Sequence, residues 1–140
     1  MSWEKYKLIG LDSNIFSYQF HKQPIFGPIA KEIFDAISLN ELHAITSIIT
    51  LTEILSVKAP LIKLKQLEKQ FSETPNLSVI EVTYEIAQEA AKIRRKYGFR
   101  LPDAIQIATA KLSKAKAFIT NDNRLKTYKG LKVILLSEIE

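Results

Sequence analysis

Short strand-like runs alternate with helical stretches along the whole chain, and this alternation constrains the fold more than any other feature. Apolar and β-branched runs predict strands at residues 6–11, 43–46, 77–82, 117–120 and 131–136. Strands separated by helices pair mainly in parallel, with right-handed crossovers that place helices on the faces of the sheet. The sequence therefore predicts an α/β fold, a three-layer α/β/α sandwich with a mostly parallel five-stranded sheet.

Apolar residues at helical spacing predict the intervening helices, at residues 28–39, 48–57, 60–71, 84–97 and 102–112. Two boundaries carry strong signals, because Thr83 can cap a helix start and Gly98 suits the left-handed backbone at a helix end. The segment 12–28 begins with Asp12-Ser13-Asn14 and contains two prolines. We expect a turn and a loop there.

Composition limits the chemistry that is available to this chain. Its 140 residues, 46% of them hydrophobic and 25% charged, suit one domain over residues 1–140 with its own core. The absence of cysteine excludes disulfides, thiolate zinc sites and a cysteine nucleophile, and only His21 and His43 can supply imidazole. The first residues match neither a signal peptide nor a membrane span, so we expect a cytoplasmic protein.

The net charge of +5 is unevenly distributed along the chain. Residues 1–57 hold four Lys and six Asp or Glu and carry −2, so residues 58–140 carry +7. A basic half of this kind favours a polyanionic partner, nucleic acid before membrane. The alternative is that lysine-rich helix faces only keep the protein in solution.

Four carboxylates begin or interrupt apolar elements. Asp12 follows the first strand and Asp122 the fourth, so both face one crevice if these strands are neighbours at the point where strand order reverses. Glu53 is the only charge between residues 44 and 57, and we expect it to be buried. Asp103 opens an apolar helix. Taken singly, the aspartates can be helix caps or turn residues, and Glu53 can point outward.

Together, four such carboxylates would form a pocket that requires cations. Oxygen ligands alone select Mg²⁺ or Mn²⁺ over zinc, and like charges packed together predict that at least one of the carboxyls has a raised pKa. A hydrated metal can activate water for attack on a phosphodiester, so no protein nucleophile is required. The chain also has no GxSxG elbow and no P-loop.

Four short motifs, in this order and approximate spacing, resemble those of the PIN domain family. They are Asp12-Ser13-Asn14 after the first strand, Thr52-Glu53 in the helix after the second, Leu101-Pro102-Asp103-Ala104 opening a buried helix, and Thr120-Asn121-Asp122 after the fourth strand. The resemblance spans essentially the whole chain. The small format is similar to that of VapC-type toxins of bacterial and archaeal toxin–antitoxin pairs.

The resemblance implies a metal-dependent ribonuclease. Its implied catalytic and metal-binding residues are Asp12, Glu53, Asp103 and Asp122, around Mg²⁺ or Mn²⁺, and its supporting polar residues are Ser13, Asn14 and Thr120. The basic residues that we expect to contact RNA are Arg94, Arg95, Lys96, Arg100 and Arg124. Many relatives carry a further Asp where this chain has Arg124, which offers a phosphate contact instead.

The function expected from these features is that of an endoribonuclease, the toxin of a type II toxin–antitoxin system with a cognate antitoxin protein. Apolar rows on the helices at 28–39 and 60–71 predict a homodimer. One alternative is a catalytically silent PIN-like module that binds RNA or a partner. A Mg²⁺-dependent phosphatase is a weaker alternative, since Asp12 is followed by Ser-Asn and not by a second aspartate nearby.

Overall fold

Five strands form the middle layer of the computed structural model, which describes residues 3–139. The strands are β1 (Leu8–Leu11), β2 (His43–Ser47), β3 (Leu77–Ile80), β4 (Ala117–Thr120) and β5 (Lys132–Leu135). They lie in the order β3-β2-β1-β4-β5, and every neighbouring pair is parallel. The predicted α/β sandwich is confirmed, and the strand order reverses between β1 and β4, as the crevice argument requires.

Six α-helices cover the two faces of the sheet. They are α1 (Ser13–Phe20), α2 (Gly27–Ser38), α3 (Ile49–Leu55), α4 (Leu61–Ser72), α5 (Tyr84–Tyr97) and α6 (Leu101–Leu112), with 3₁₀ turns at Asn123–Thr127 and Leu136–Glu138. The Thr83 hydroxyl accepts from the amide of Ile86, and Gly98 has φ 73°, so both predicted boundaries of α5 are confirmed. Within residues 3–139, no helix is long and apolar enough to cross a membrane.

Helix α1 was not predicted, because residues 12–28 carry turn signals and no repeating apolar stripe. The helix starts where the Asp12 carboxylate accepts from the amide of Ser13 (2.8 Å). Its only buried residues are Ile15 and Phe16. The Phe16 ring packs edge-on against Phe34, with ring centres 5.2 Å apart. Tertiary packing and a cap therefore stabilise a helix that periodicity does not reveal.

Side chains alternate between the two faces of the sheet and form two apolar cores. Ile9 and Leu11 point into the core beneath α1–α4, whereas Phe118 points into the core beneath α5 and α6. Gly10 lies under α6, where an added Cβ would stand 2.6 Å from the Cβ of Ala110. This close approach sets α6 directly over β1, with the start of the helix at the carboxyl ends of the strands.

The apolar row of α2 packs into the chain's own core, with Ile33 and Ile37 fully buried. Leu39, the last residue of the predicted helix, is 70% exposed, so the core uses most but not all of the spare apolar surface that we expected here. On α4, by contrast, Leu61 and Ile62 are 67% and 71% exposed. The homodimer remains a prediction, and it now depends on the first turn of α4.

Candidate active site

Two acidic residues meet at the reversal of strand order. Asp12 directly follows β1, and Asp122 lies two residues beyond the end of β4. The buried Thr120 hydroxyl donates to Asp12 Oδ2 (2.6 Å) and accepts from the amide of Asp122 (3.1 Å). One hydroxyl thus holds the carboxyl ends of two neighbouring strands together, and the supporting role that the resemblance implies for Thr120 stays a prediction.

Asp12 is the most perturbed acid of the site. It is only 5% exposed, and burial is the main reason that its pKa rises to about 6. Hydrogen bonds from Thr120 and Ser13 oppose the increase in pKa. The negative charges of Asp103 and Glu53 add to it. The predicted raised pKa is confirmed, although burial contributes more to it than repulsion between carboxylates.

Two arginines bridge the remaining aspartates. Asp103, in the first turn of α6, is 5% exposed and accepts from Arg100 Nε (3.2 Å) and Arg124 Nη2 (3.3 Å). Asp122 binds the same Arg124 through both carboxylate oxygens, one of them 3.0 Å from Nε. The hydrogen bond from Arg124 is the main reason that the pKa of Asp122 lies below its ordinary value. Arg124 therefore pairs with two of the candidate acids.

Glu53 is exposed on α3, so the expectation that it is buried is wrong. The inner face of this short helix consists of Thr50 and Ile54, and Glu53 lies on its flank. Residues 44–57 form one apolar run, but its first part is the buried strand β2 and only seven of its residues form α3. The run as a whole therefore predicted a more deeply buried helix than the structure has. The charge of Glu53 still contributes to the raised pKa of Asp12, so Glu53 stays a candidate ligand.

A buried polar network beneath the acids escaped the sequence reasoning. Gln106, 1% exposed, donates from Nε2 to Thr50 Oγ1 (2.7 Å) and accepts from the amide of Ser47 (3.2 Å). Thr46 donates to the carbonyl of Leu11 (2.8 Å), and its hydroxyl lies 2.6 Å from that of Thr50. The network therefore connects β1, β2, α3 and α6.

Each helix in this network also carries a candidate acid. Gln106 lies one turn after Asp103 on α6, and Thr50 lies one turn before Glu53 on α3. The hydrogen bond between them fixes the two helices relative to each other. A glutamine in the otherwise apolar stretch after Asp103 was the available signal, because a buried amide requires partners.

The basic residues that we expected to contact RNA occupy two places. Arg100 and Arg124 lie at the acids, with side chains 66% and 54% exposed. Arg95 and Lys96 are exposed on the last turn of α5. Arg94 Nε instead donates to the carbonyl of Phe99 (3.1 Å) and thereby holds the turn that leads to Arg100.

Residues 3–139 contain no group of three or more Asp, Glu or His already arranged to ligate one ion. Asp12 and Asp122 are joined through Thr120, and Asp103 and Asp122 through Arg124, while Glu53 makes no direct contact with them. The candidate ligands are all carboxylates. The negative charges of Asp103 and Glu53 repel that of Asp12, and a divalent cation would relieve this repulsion. The residues fit a hard cation, provided that the arginines release the oxygens they hold.

The fold and this crevice define a class of α/β protein with acidic residues at a reversal of strand order. The sequence profile of the PIN domain family matches residues 9–131. The chain therefore belongs to the PIN domain family, which confirms the resemblance inferred from its four motifs. No significant match occurs among curated protein sequences.

Solved structures support the same fold. A toxin–antitoxin complex from Klebsiella pneumoniae superposes with a TM-score of 0.69 at 24% identity, over 94% of this chain and 99% of that one. VapBC2 from Rickettsia felis, bound to a promoter DNA fragment, gives 0.74 at 17% identity, over 91% and 98%. FitAcB from Neisseria gonorrhoeae gives 0.70 at 20% identity, over 94% and 99%. These likenesses, all below 25% identity, show that the chain shares the fold of these structures.

Proposed function

We propose that this protein is a metal-dependent endoribonuclease in which Asp12, Glu53, Asp103 and Asp122 hold Mg²⁺ or Mn²⁺. The observation that carries the proposal is Asp12, a buried carboxylate at the reversal of strand order whose pKa is raised further by two other candidate ligands. When bound, the metal would activate water and stabilise charge on the phosphodiester oxygens. Every donor in the set is a carboxylate oxygen, the ligand type that these cations prefer.

The residues of the chain itself orient this site. Thr120 and the amide of Ser13 each bind one oxygen of Asp12 and fix the plane of its carboxylate. Gln106 and Thr50 hold the two helices that carry Asp103 and Glu53. This preorganisation keeps the carboxylates near one another despite their repulsion.

RNA phosphates would bind on the arginine side of the crevice. Arg100 and Arg124 have exposed guanidinium groups beside Asp122, and a phosphate can take over the hydrogen bonds that the aspartates now accept. Arg95 and Lys96, in the last turn of α5, would extend this positive surface, and Arg94 holds the turn between the two groups. Such contacts make RNA binding salt-dependent.

We further propose that the protein is the toxin of a type II toxin–antitoxin pair, acts on cytoplasmic RNA and is inhibited by a cognate antitoxin. The support is that similar folds were solved as toxin–antitoxin complexes. Co-expression with the product of a neighbouring small gene, followed by co-purification, tests the partner. A homodimer through α4 belongs to the same proposal.

Incubation of single-stranded RNA with the protein, in Mn²⁺ or EDTA, tests the activity. We expect cleavage in Mn²⁺ only, and its loss in Asp12→Asn. The matched control is Asp35→Asn, which alters an exposed ion pair with Lys31 far from the crevice. Absence of cleavage by the unmodified protein in Mn²⁺ would contradict the proposal.

The ion pairs of Arg100 and Arg124 favour one alternative, a catalytically silent module in which the acids only anchor arginines. Such a module would bind RNA but would neither cleave it nor bind Mn²⁺. A Mg²⁺-dependent phosphatase would instead hydrolyse a phosphate monoester and leave RNA intact. The same preparation therefore distinguishes the three functions.

A further inference from the structure

A groove of about 230 Å³ opens between α1 and α3, directly beside the acids. Ser13 belongs both to this groove and to the crevice, because its amide binds Asp12. Glu53, whose charge contributes to the raised pKa of Asp12, lines the groove as well. The groove continues away from the crevice along Ser17 and His21. It is therefore an extension of the candidate active site.

The two walls of the groove differ in chemistry. Ser13, Ser17 and His21 recur every four residues, so one side of α1 presents a row of hydrogen-bonding groups. The opposite wall contributes the apolar side chains of Ile54 on α3 and of Val57, two residues beyond the end of that helix, and Phe20 on α1 adds an aromatic ring. An apolar wall facing polar groups suits a flat ring with hydrogen-bonding edges.

The charges that line this groove disfavour a phosphate. Among residues 3–139, no Lys or Arg lines the groove, and Glu53 is the one acidic residue that does. The positive groups of the site, Arg100 and Arg124, instead lie beside Asp122. Since α3 follows β2 and Asp122 follows β4, the groove and the arginines lie on opposite sides of Asp12.

Asn14 supplies a second indication of a ligand. It lines the groove, and its Oδ1 atom is buried without a hydrogen-bond partner among residues 3–139. A buried acceptor left unpaired is costly, and an incoming amino or hydroxyl group can satisfy it. Nucleobases and ribose carry both kinds of donor.

From this geometry we propose that the groove between α1 and α3 is a subsite for the base and ribose of one single-stranded RNA nucleotide next to the cleaved phosphate. Ser17 and His21 are its specificity-determining residues. The inference rests on the proposed function, since it names the part of the substrate that this side of the site receives. An RNA strand across Asp12 would then place phosphates at the arginines and one base in the groove.

Ser17→Phe tests the subsite by filling the groove. Ser17 is exposed on α1, so the larger side chain need not disturb the core. The matched control is Gln19→Phe, on the same helix but lining a different cavity, between α1 and α2. His21→Leu is a second variant, which removes hydrogen-bonding groups without filling the groove. Thermal melts and Mn²⁺ titrations check that fold and metal site are unchanged.

The readouts are Mn²⁺-dependent cleavage of single-stranded RNA heptamers, with each base varied in turn, and binding of the same heptamers in EDTA by fluorescence anisotropy. We expect the unmodified protein to prefer particular bases at one position. In Ser17→Phe this preference is lost and kcat/KM falls roughly tenfold, the factor typical of one stacked base. His21→Leu weakens the preference, and Gln19→Phe leaves it unchanged.

The binding measurement separates failure of the subsite from failure of the proposed function. If the unmodified protein cleaves no RNA, the nuclease proposal fails, and loss of base preference in heptamer binding by Ser17→Phe still supports the subsite. Unchanged binding, cleavage and preference in Ser17→Phe would overturn it. Loss of antitoxin binding by Ser17→Phe with RNA binding intact would also overturn it, because the groove would then receive protein.

Discussion

The hydroxyl of Thr120 lies 2.6 Å from Asp12 Oδ2 and donates to it, which joins the ends of two neighbouring strands. The same hydroxyl accepts from the amide of Asp122. Thr120 is fully buried, so water cannot replace these bonds without a change in packing. The separation of the first and last candidate acids is thus set by one side chain.

Thr120→Val should test this relationship, because valine keeps the shape of threonine and removes the hydroxyl. We expect the pKa of Asp12 to rise further, since the lost hydrogen bond lowers it, and the free energy of unfolding to fall by about 1–3 kcal/mol. NMR titration of the Asp12 carboxyl and urea unfolding measure the two effects. Thr120→Ser, which retains the hydroxyl, is the control, and equal behaviour of the two variants would contradict the assignment.

The raised pKa of Asp12 predicts how stability depends on pH without metal. Its pKa is about 6 in the folded protein and 3.8 as the ordinary value, so the folded state binds the proton more tightly. The proton on Asp12 therefore adds up to about 3 kcal/mol to the free energy of unfolding. This contribution is fully present below about pH 4 and is lost as pH rises through about 6. The lowered pKa of Asp122 has the opposite effect: its contribution to stability is present above the ordinary pKa of an aspartate and is lost as pH falls below it.

Urea unfolding of the protein and of Asp12→Asn in EDTA, at pH 4.5 and pH 7.5, measures this dependence. We expect Asp12→Asn to gain stability relative to the unmodified protein as pH rises between these values. A constant difference between the two proteins would show that burial does not perturb Asp12.

Arg124 should compete with a metal for Asp103 and Asp122, because its guanidinium contacts both carboxylates. Arg124→Gln is therefore expected to bind Mn²⁺ more tightly, by a factor of about two to five, and RNA more weakly, with a smaller salt dependence. Isothermal titration and anisotropy measure the two affinities. Lys126→Gln, in the same 3₁₀ turn but paired with Glu138, is the control. Weaker Mn²⁺ binding in Arg124→Gln would contradict this competition.

The exposed start of α4 predicts self-association. Ile62→Glu should convert a dimer into a monomer, since it places a charge where Ile62 is 71% exposed. Sedimentation at micromolar concentration measures the change, with Lys65→Glu as an exposed control on the same helix. An unmodified protein that sediments as a monomer would refute the prediction.

Sequence periodicity was sufficient for most of the fold. The strands and the ends of α5 were predictable because apolar and β-branched runs, Thr83 and Gly98 are local signals. Helix α1 was not, because only Ile15 and Phe16 are buried and its cap is Asp12, which also follows a strand. Its stability comes from aromatic packing with distant residues, which no local pattern shows.

The candidate site was partly predictable for a similar reason. Carboxylates at the ends of β1 and β4 indicate a crevice as soon as the strands are neighbours. The exposure of Glu53 was missed because a buried strand and a half-buried helix form one apolar run. The contacts of Arg124 and Gln106 were missed because they depend on how α6 is set against β2 and the turn after β4.

We propose that the four carboxylates act together on a divalent cation, and Mn²⁺ titration calorimetry tests this most directly. We expect the unmodified protein and Asp35→Asn to bind Mn²⁺ with the same affinity, and Asp12→Asn and Asp103→Asn to bind it at least about tenfold more weakly. Saturation by Mn²⁺ should also raise the melting temperature of the unmodified protein. Failure of the unmodified protein to bind millimolar Mn²⁺, or equal binding by Asp12→Asn, would contradict the claim.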